Sequence, residues 1–567
     1  MARAVSIGNQ DFGEIIENHC FYVDKTSFIK EWWERKDKVT LITRPRRFGK
    51  TLTMDMVNRF FSITHKGNRN LFDGLSIWED ESYRNLQGTY PVIFLSFANV
   101  KQTNYESTRK YICDLITKLY QENRFLVESG FLKGIDVTFF NDVAPNMDDV
   151  DASKSLNQLS QYLCQYYGKK VIILLDEHDT PMQEAYVNGY WDELVKFTRS
   201  LFNATFKTNP YLEKAIMTGV TRVSKESIFS DLNNLEVITT TSEKYETIFG
   251  FTEGEVFEAL EEFDLQDQKQ KVKYWYDGFH FGNCENIYNP WSIINYLDKK
   301  KFASYWANTS ANALVSSLVK SGNNRVKHAI EGLLQGEIYK TYLDEEVVFN
   351  RINRSKGAIW SFLVASGYLK VVNVEIDEEE ETVYELAVTN FEVMKMFKHM
   401  IVDWFYEDNC DIDKFCDALL DGDVAQMQES LECDMINILS CFDTTSENSY
   451  HMFILGLIAC LQHKYVIKSN IETGFGRCDT ILYPKDNSQD GIILEYKKIK
   501  EDDSSTLQST AANALHQIIK KQYFTDFNAH AVPVERIRIY GFAFKGKEVL
   551  VDGGYLTEIN SRLQADK

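Results

Sequence analysis

The stretch KVTLITRPRRFGKTLTM, residues 38–54, decides how the first part of the chain folds. It opens as a short apolar run rich in β-branched residues, crosses a basic turn, and leaves into KTLTMDMVNRFF, which reads as the following helix. Gly49, Lys50 and Thr51 are the second half of the phosphate-binding pattern G-x-x-x-x-G-K-[ST]. In such a loop Gly49 lets the backbone approach a phosphate, Lys50 reaches the β and γ phosphates, and the Thr51 hydroxyl can ligate magnesium. Backbone N–H groups and the positive end of the following helix face the anion. Arg44 stands where the first glycine belongs, next to Pro45, whose fixed φ can hold the turn. Taken alone, the stretch also reads as a basic turn before an amphipathic helix.

Four further runs share the two-sided apolar character of KVTLIT: YPVIFLSF (90–97), KKVIILLD (169–176), KAIMTGV (214–220) and EVITTT (236–241). Strands of this kind, alternating with helices, predict a doubly wound α/β domain around a parallel sheet. VIILLDEHD ends in Asp176 and Glu177. Acids at that position suit a magnesium shell held by Asp176 and an attacking water oriented by Glu177, although acids also cap helices. Thr218, at the end of a third strand, is placed to sense a γ-phosphate. Arg222 or Lys225 beyond it can act as a finger, in cis or across an oligomer, or serve as ordinary solvated cations.

The 567 residues exceed one core, and ~100–200 residues per domain predicts two to four domains. A net charge of −21 and a pI near 5.1 exclude a surface that binds nucleic acid everywhere, so any such site is a local basic patch. The apolar run MFILGLIACL (452–461) is about half the ~20 residues of a membrane span, and the N-terminus turns acidic where a secretion signal needs an apolar core. These features predict a cytoplasmic protein with no membrane segment. Ten cysteines without a C-x-x-C pair read as reduced thiols.

We expect domains at 1–253, 254–400 and 401–567. The middle one is mostly helical and aromatic, with a β-hairpin of acidic tip at 371–388, and would form a helical lid with a small winged-type module. Residues 408–432 read as linking helices. A separate α/β unit follows, in which GRCDTILYPKDNSQDGIILEYKK is a hairpin. Period two puts Glu495 and Lys497 on one face of its second strand, with Asp479 on the partner strand. Two carboxylates on neighbouring strands can share a hard divalent cation beside a lysine, as phosphodiester hydrolysis requires. Charges on a solvated edge strand are the plainer reading. Glu447 can add a third acid, with His451 one turn later as a ligand or, more simply, a core histidine. Gln517 lies on the helix after the hairpin beside Lys520 and Lys521, a candidate patch for a nucleic-acid backbone or a solvated face.

Together these segments resemble the bacterial AAA-ATPase-like proteins that carry a C-terminal PD-(D/E)XK nuclease-superfamily domain. The resemblance rests on FYVDKTSFI, RPRRFGKTLTM, LLDEHDTPM, TGVTRVS, WYDGFHF, IYNPWSII, SGYL, YHMFILGL, GFGRCDTILY and ILEYKKIK. It implies an AAA-like P-loop ATPase core using ATP and Mg2+, followed by a restriction-enzyme-like fold. Lys50 and Thr51 take the Walker A roles, within a nucleotide-binding loop of Arg47, Phe48, Gly49, Lys50, Thr51 and Leu52. Asp176 and Glu177 take the Walker B roles, and Thr218 and Arg222 complete the nucleotide site. Asp479, Glu495 and Lys497 become the nuclease triad, with Glu447 and Gln517 as outer members. Metal would be held by Thr51 and Asp176 in one site and by Glu447, Asp479 and Glu495 in the other. RPRRFGKT is the family's own form of the loop. Cys478 replaces the proline of the superfamily's name, and LAVTNFEV (386–393) lacks a proline usual before its asparagine. The expected function is a nucleotide-controlled, magnesium-dependent nuclease; the alternative is a nucleotide-gated switch or scaffold whose nuclease fold only binds a partner.

Overall fold

A computed structural model describes residues 2–221, 232–306, 315, 318–319, 324–334, 336–343, 357–378, 380–397, 400, 412–438, 447–486, 488–499, 504–530, 532–546 and 548–565. Arg222 and Lys225 lie outside the described residues, and so does the side chain of Glu447. The chain forms two compact units, Met1–Val315 with Ile338–Met394, and Ser316–Glu337 with Lys395–Lys567.

The first unit is built on a parallel sheet of β1 (Val39–Thr43), β2 (Val92–Ser96), β3 (Val171–Asp176), β4 (Leu212–Gly219) and β5 (Leu235–Ile238), in the order β2-β3-β4-β1-β5. Burial follows position. Every residue of β1 and β3 is buried, whereas the edge strand β2 alternates. β5 stops at Ile238, short of the expected 241. Beyond it the hydroxyls take over the backbone: Thr239 N–H donates to Ser242 Oγ at 2.9 Å, and the Thr239 and Thr241 hydroxyls pair at 2.8 Å.

Residues 251–394 are less purely helical than their composition suggests. β6 (Phe251–Thr252), β7 (Phe279–Phe281) and β8 (Cys284–Tyr288) form one small sheet; β9 (Tyr339–Tyr342), β10 (Leu369–Ile376) and β11 (Thr382–Val388) form another. The acidic-tipped hairpin is β10–β11, paired from Leu369↔Val388 to Ile376↔Thr382. The proline-free turn before Phe391 closes by a side chain, Val393 N–H donating to Asn390 Oδ1 at 3.0 Å.

In the second unit β12 (Tyr465–Thr473), β13 (Gly476–Pro484), β14 (Gly491–Lys498), β15 (Ile537–Lys545) and β16 (Glu548–Tyr555) lie side by side in chain order. All neighbours are antiparallel except β14 and β15. β12 was not expected, because YVIKSNIET shows no clean apolar alternation and its burial is patchy. Helix Leu507–Lys521 starts at a capping box of Thr506 and Ser509 and packs on the sheet through Ala511, Ala514, Leu515 and Ile518. Small residues bring it close: a Cβ on Gly541 of β15 would lie 2.5 Å from the Ala511 carbonyl oxygen. Helix Glu447–Ile458 also packs against the sheet, with Tyr450 stacked on Phe544 at 4.2 Å.

Candidate functional sites

The loop after β1 leads into helix Lys50–Phe61, whose amphipathic face buries Thr53, Met54, Met56, Val57, Phe60 and Phe61. Gly49 caps it at φ 80° with open space around the position of a Cβ, so the left-handed backbone alone requires glycine. Arg47 shares that conformation at φ 66°, its guanidinium 4.2 Å from the Trp291 ring. Phe48 is buried against Phe279 at 4.8 Å and Phe281 at 5.3 Å, so its side chain anchors the loop and only its backbone remains for a ligand. Leu52 is half-buried on the first helical turn.

Lys50 Nζ donates to the carbonyls of Arg44 at 3.0 Å and Pro45 at 2.9 Å. Burial lowers its pKa, against the attraction of Glu177, Asp179 and Asp176. The Thr51 hydroxyl donates to Asp176 Oδ2 at 2.8 Å, and the Thr218 hydroxyl donates to Asp176 Oδ1. Three residues far apart in sequence therefore meet at adjacent strand tips, where open α/β sheets bind ligands. Asp176 is buried, and desolvation raises its pKa despite both hydroxyls. Glu177 sits at φ 50°, a strained conformation for a non-glycine residue. Its N–H donates to Thr218 Oγ1 at 3.2 Å and its carboxylate accepts from Thr180 Oγ1 at 2.9 Å. Thr51 and Asp176 offer hard oxygen donors suited to magnesium, and the helix N-terminus suits a phosphate.

Arg44 is a structural prop. It is 0% exposed, with Nη1 donating to the carbonyls of Thr43 at 3.0 Å and Thr239 at 2.5 Å, and its guanidinium lies 4.7 Å from the Phe281 ring. Burial pushes its pKa down to about 9. Segments 278–306 and 367 back the loop: Trp306 Nε1 donates to the Arg46 carbonyl at 2.9 Å, and a Cβ on Gly367 would meet Pro45 Cγ at 2.9 Å. Tyr276 and Asp277 of WYDGFHF belong to a packed aromatic turn, with Tyr276 buried and burial pushing Asp277 up to about 6.

Two residues of DEHD escaped the sequence reading although they follow Glu177 directly. His178 Nδ1 donates to the Thr218 carbonyl at 2.8 Å. Asp179, buried, accepts from the N–H groups of Val220 at 2.9 Å and Thr221 at 2.8 Å and from the Thr221 hydroxyl at 3.0 Å. They tie the end of β3 to the end of β4. Gly219 makes this approach possible, since a Cβ there would lie 2.6 Å from His178 Cε1 and 2.7 Å from Asp179 Oδ1.

The second cluster forms where β13 and β14 part. Their pairing covers only Thr480–Leu482 with Ile492–Leu494, and just beyond it the side chains replace the ladder. Asp479 Oδ2 accepts the Tyr496 N–H at 2.9 Å, and Glu495 Oε2 accepts the Asp479 N–H at 3.5 Å. Glu495 Oε1 also accepts from Lys497 Nζ at 3.2 Å and from Gln517 Nε2. Asp479, Glu495, Lys497 and Gln517 are thus in one place. Glu495 is 0% exposed, and burial followed by repulsion from Asp479 pushes its carboxyl up to about 8, against the pull of Lys497. Burial raises Asp479 as well. Two desolvated carboxylates with raised pKa values suit a divalent cation, which would stabilise both charges. Among the described residues no three His, Cys, Asp or Glu side chains surround one point, so further ligands would have to be water, a phosphate oxygen or a residue beyond the set. His451 packs against Tyr496 with the rings tilted by 33° and centroids 5.0 Å apart, and its Nε2 is hydrogen-bonded to Ser469 Oγ at 3.0 Å and Thr480 Oγ1 at 3.2 Å. It is a core histidine. Lys520 is exposed and Lys521 half-buried at the end of the helix that carries Gln517.

Residues 6–229 match the family described as "Predicted AAA-ATPase", and residues 445–553 match the "PD-(D/E)XK nuclease superfamily". The chain joins an AAA-ATPase-like domain to a PD-(D/E)XK nuclease-superfamily domain. The P-loop cluster falls in the first matched segment and the carboxylate cluster in the second. The chain is also similar to an "Uncharacterized protein in vnfD 5'region" of Azotobacter chroococcum mcd 1, 28% identical over 322 residues. That alignment spans 56% of this chain and 56% of the relative, about half of each. Among the described residues, no helix is long and apolar enough to cross a membrane.

Proposed function

We propose that the protein binds and hydrolyses ATP, and that its nucleotide state controls a magnesium-dependent nuclease acting on nucleic acid in the cytoplasm. The observation that carries the first half is the contact between Thr51 and Asp176, 125 residues apart, beside Thr218 and beneath Lys50. Lys50, the loop amides and Arg47 hold the triphosphate, Thr51 and Asp176 hold magnesium, Glu177 orients water, and Thr218 links the two strand tips to the γ-phosphate. Magnesium when bound neutralises developing phosphate charge.

The second half is supported by the pair of buried Glu495 and half-buried Asp479, with Lys497 and Gln517 attached to Glu495. The carboxylates would hold a divalent cation, Lys497 would face the scissile phosphate, and Gln517 fixes Glu495. Lys520 and Lys521 give a local basic patch on a chain of net charge −21. The deciding experiment is cleavage of single-stranded, duplex and structured nucleic acid with magnesium, with and without ATP. Wild type should cut, Glu495→Ala should not, and Lys50→Ala should lose the response to ATP. Absence of cleavage on every substrate removes the nuclease reading; cleavage indifferent to ATP in wild type removes the control.

A further inference from the structure

We infer that Phe475 is a stacking platform for an unpaired base, so that the second unit binds single-stranded nucleic acid beside its carboxylate pair. The location rests on the nuclease reading; the base contact stands on separate observations.

Phe475 is 71% exposed at the tip of the β12–β13 hairpin. Isolated exposed apolar side chains are common and by themselves mean nothing. This one is displayed by a stiff backbone. Gly474 is at φ +55°, and a Cβ there would lie 2.2 Å from the Lys521 carbonyl oxygen. The Phe475 N–H donates to that same carbonyl at 2.8 Å, and a Cβ on Gly476 would lie 3.3 Å from Lys521 Cδ. The tip is therefore docked on the end of helix Leu507–Lys521, and the flanking glycines, Gly474 and Gly476, put no side chain of their own beside the exposed ring.

The tip is also wired to the site. Tyr523 hydroxyl donates to the Arg477 carbonyl at 2.6 Å and accepts from Gln517 Nε2 at 3.1 Å, the nitrogen that also donates to Glu495. An open groove of about 620 Å³ runs along the hairpin, lined by Phe475, Arg477, Thr525 and Asp526 among others. Its charges are mixed. Arg477 and Glu472 are exposed, while Asp526 is a half-buried acid held by the Tyr483 hydroxyl. With acids offsetting cations, the groove is poorly suited to gripping the dense phosphates of a duplex. A base on an exposed ring, with Arg477 and Lys521 against a few phosphates, matches the chemistry by which proteins hold single strands.

The test uses the full-length chain in EDTA, where cleavage cannot interfere. Binding of fluorescein-labelled oligothymidylate of about 15 nucleotides and of a duplex of equal length is followed by anisotropy. Wild type should prefer the single strand. Phe475→Ala should weaken single-strand binding about 5- to 150-fold, the equivalent of one base–aromatic stack, and Phe475→Trp should restore it. Single-strand affinity of Phe475→Ala within twofold of wild type overturns the inference, as does a duplex preference in wild type. Cleavage with magnesium separates the two readings. If Phe475→Ala loses binding but no variant ever cuts, the platform stands and the nuclease falls; if wild type cuts while Phe475→Ala binds normally, the reverse holds.

Discussion

Binding of magnesium to the Asp479–Glu495 pair should expel a proton, and the structure sets how many. Burial, and then the facing Asp479, push the Glu495 carboxyl up to about 8. A carboxyl with that pKa is about nine-tenths protonated at pH 7 and about one-tenth at pH 9. Because the ligand form is the carboxylate, metal binding at pH 7 should release about 0.9 proton, and at pH 9 about 0.1. Apparent affinity should accordingly be about tenfold weaker at pH 7 than on the alkaline plateau. Calorimetric titration without nucleotide, in buffers of different ionisation enthalpy, reads the proton number directly. Glu495→Gln should abolish the release together with most of the binding. The same shift fixes a stability trend. The folded pKa lies above the ordinary 4.5, so the native state keeps a proton that the unfolded chain gives up. Its stabilisation is fully present below about pH 4.5 and is lost as pH rises to about 8, at up to about 1.4 kcal/mol per pH unit, and magnesium should offset that loss. Binding at pH 7 without proton release, or release that survives Glu495→Gln, would refute the reasoning.

Arg44→Gly would make the loop conform to the usual glycine pattern, yet it should cost about 2–5 kcal/mol by stranding buried carbonyls; a melting temperature at or above wild type counts against the prop. Gly219→Ala should cost about 1–3 kcal/mol through its clash with His178 and Asp179, and ATP turnover should fall with it, as thermal melts and phosphate-release assays would record. Lys50→Ala should abolish nucleotide binding measured with a fluorescent ATP analogue. Glu177→Gln should keep that binding and stop hydrolysis; turnover at the wild-type rate removes Glu177 from its role.

What the sequence made legible was whatever depends on local order. The strand–loop–helix at 38–54 and the two-sided apolar runs announce a parallel sheet because burial on both faces leaves no polar alternation. The acids at the end of β3 and the hairpin at 476–498 are equally local. What stayed hidden depends on tertiary neighbours. Phe48 sits inside a loop whose motif reads as phosphate-binding, and only Phe279 and Phe281, more than two hundred residues away, make it an anchor. Arg44 reads as a basic residue facing solvent until the carbonyl of Thr239 closes over it. β12 was missed because one face meets the core only in part, leaving too few apolar residues to mark it.

The carboxylate cluster shows why spacing alone could not settle its role. On a regular hairpin, Asp479 and Glu495 would be two charges on an edge, and solvation would explain them. Their burial follows from a backbone event that sequence does not encode locally: β13 and β14 stop pairing at Thr480 and Leu494. Each strand then has an amide without a ladder partner, and each is taken by the other strand's carboxylate, Tyr496 by Asp479 and Asp479 by Glu495. Those amides hold the two acids near each other despite their repulsion, and helix Leu507–Lys521 closes over them with Gln517. A carboxylate pair fixed by main-chain donors cannot swing apart to relieve its charge. Lys497 offsets one of the two charges, and a proton or a further cation would offset the other, so the proton count on magnesium binding tells which of the two the pair takes.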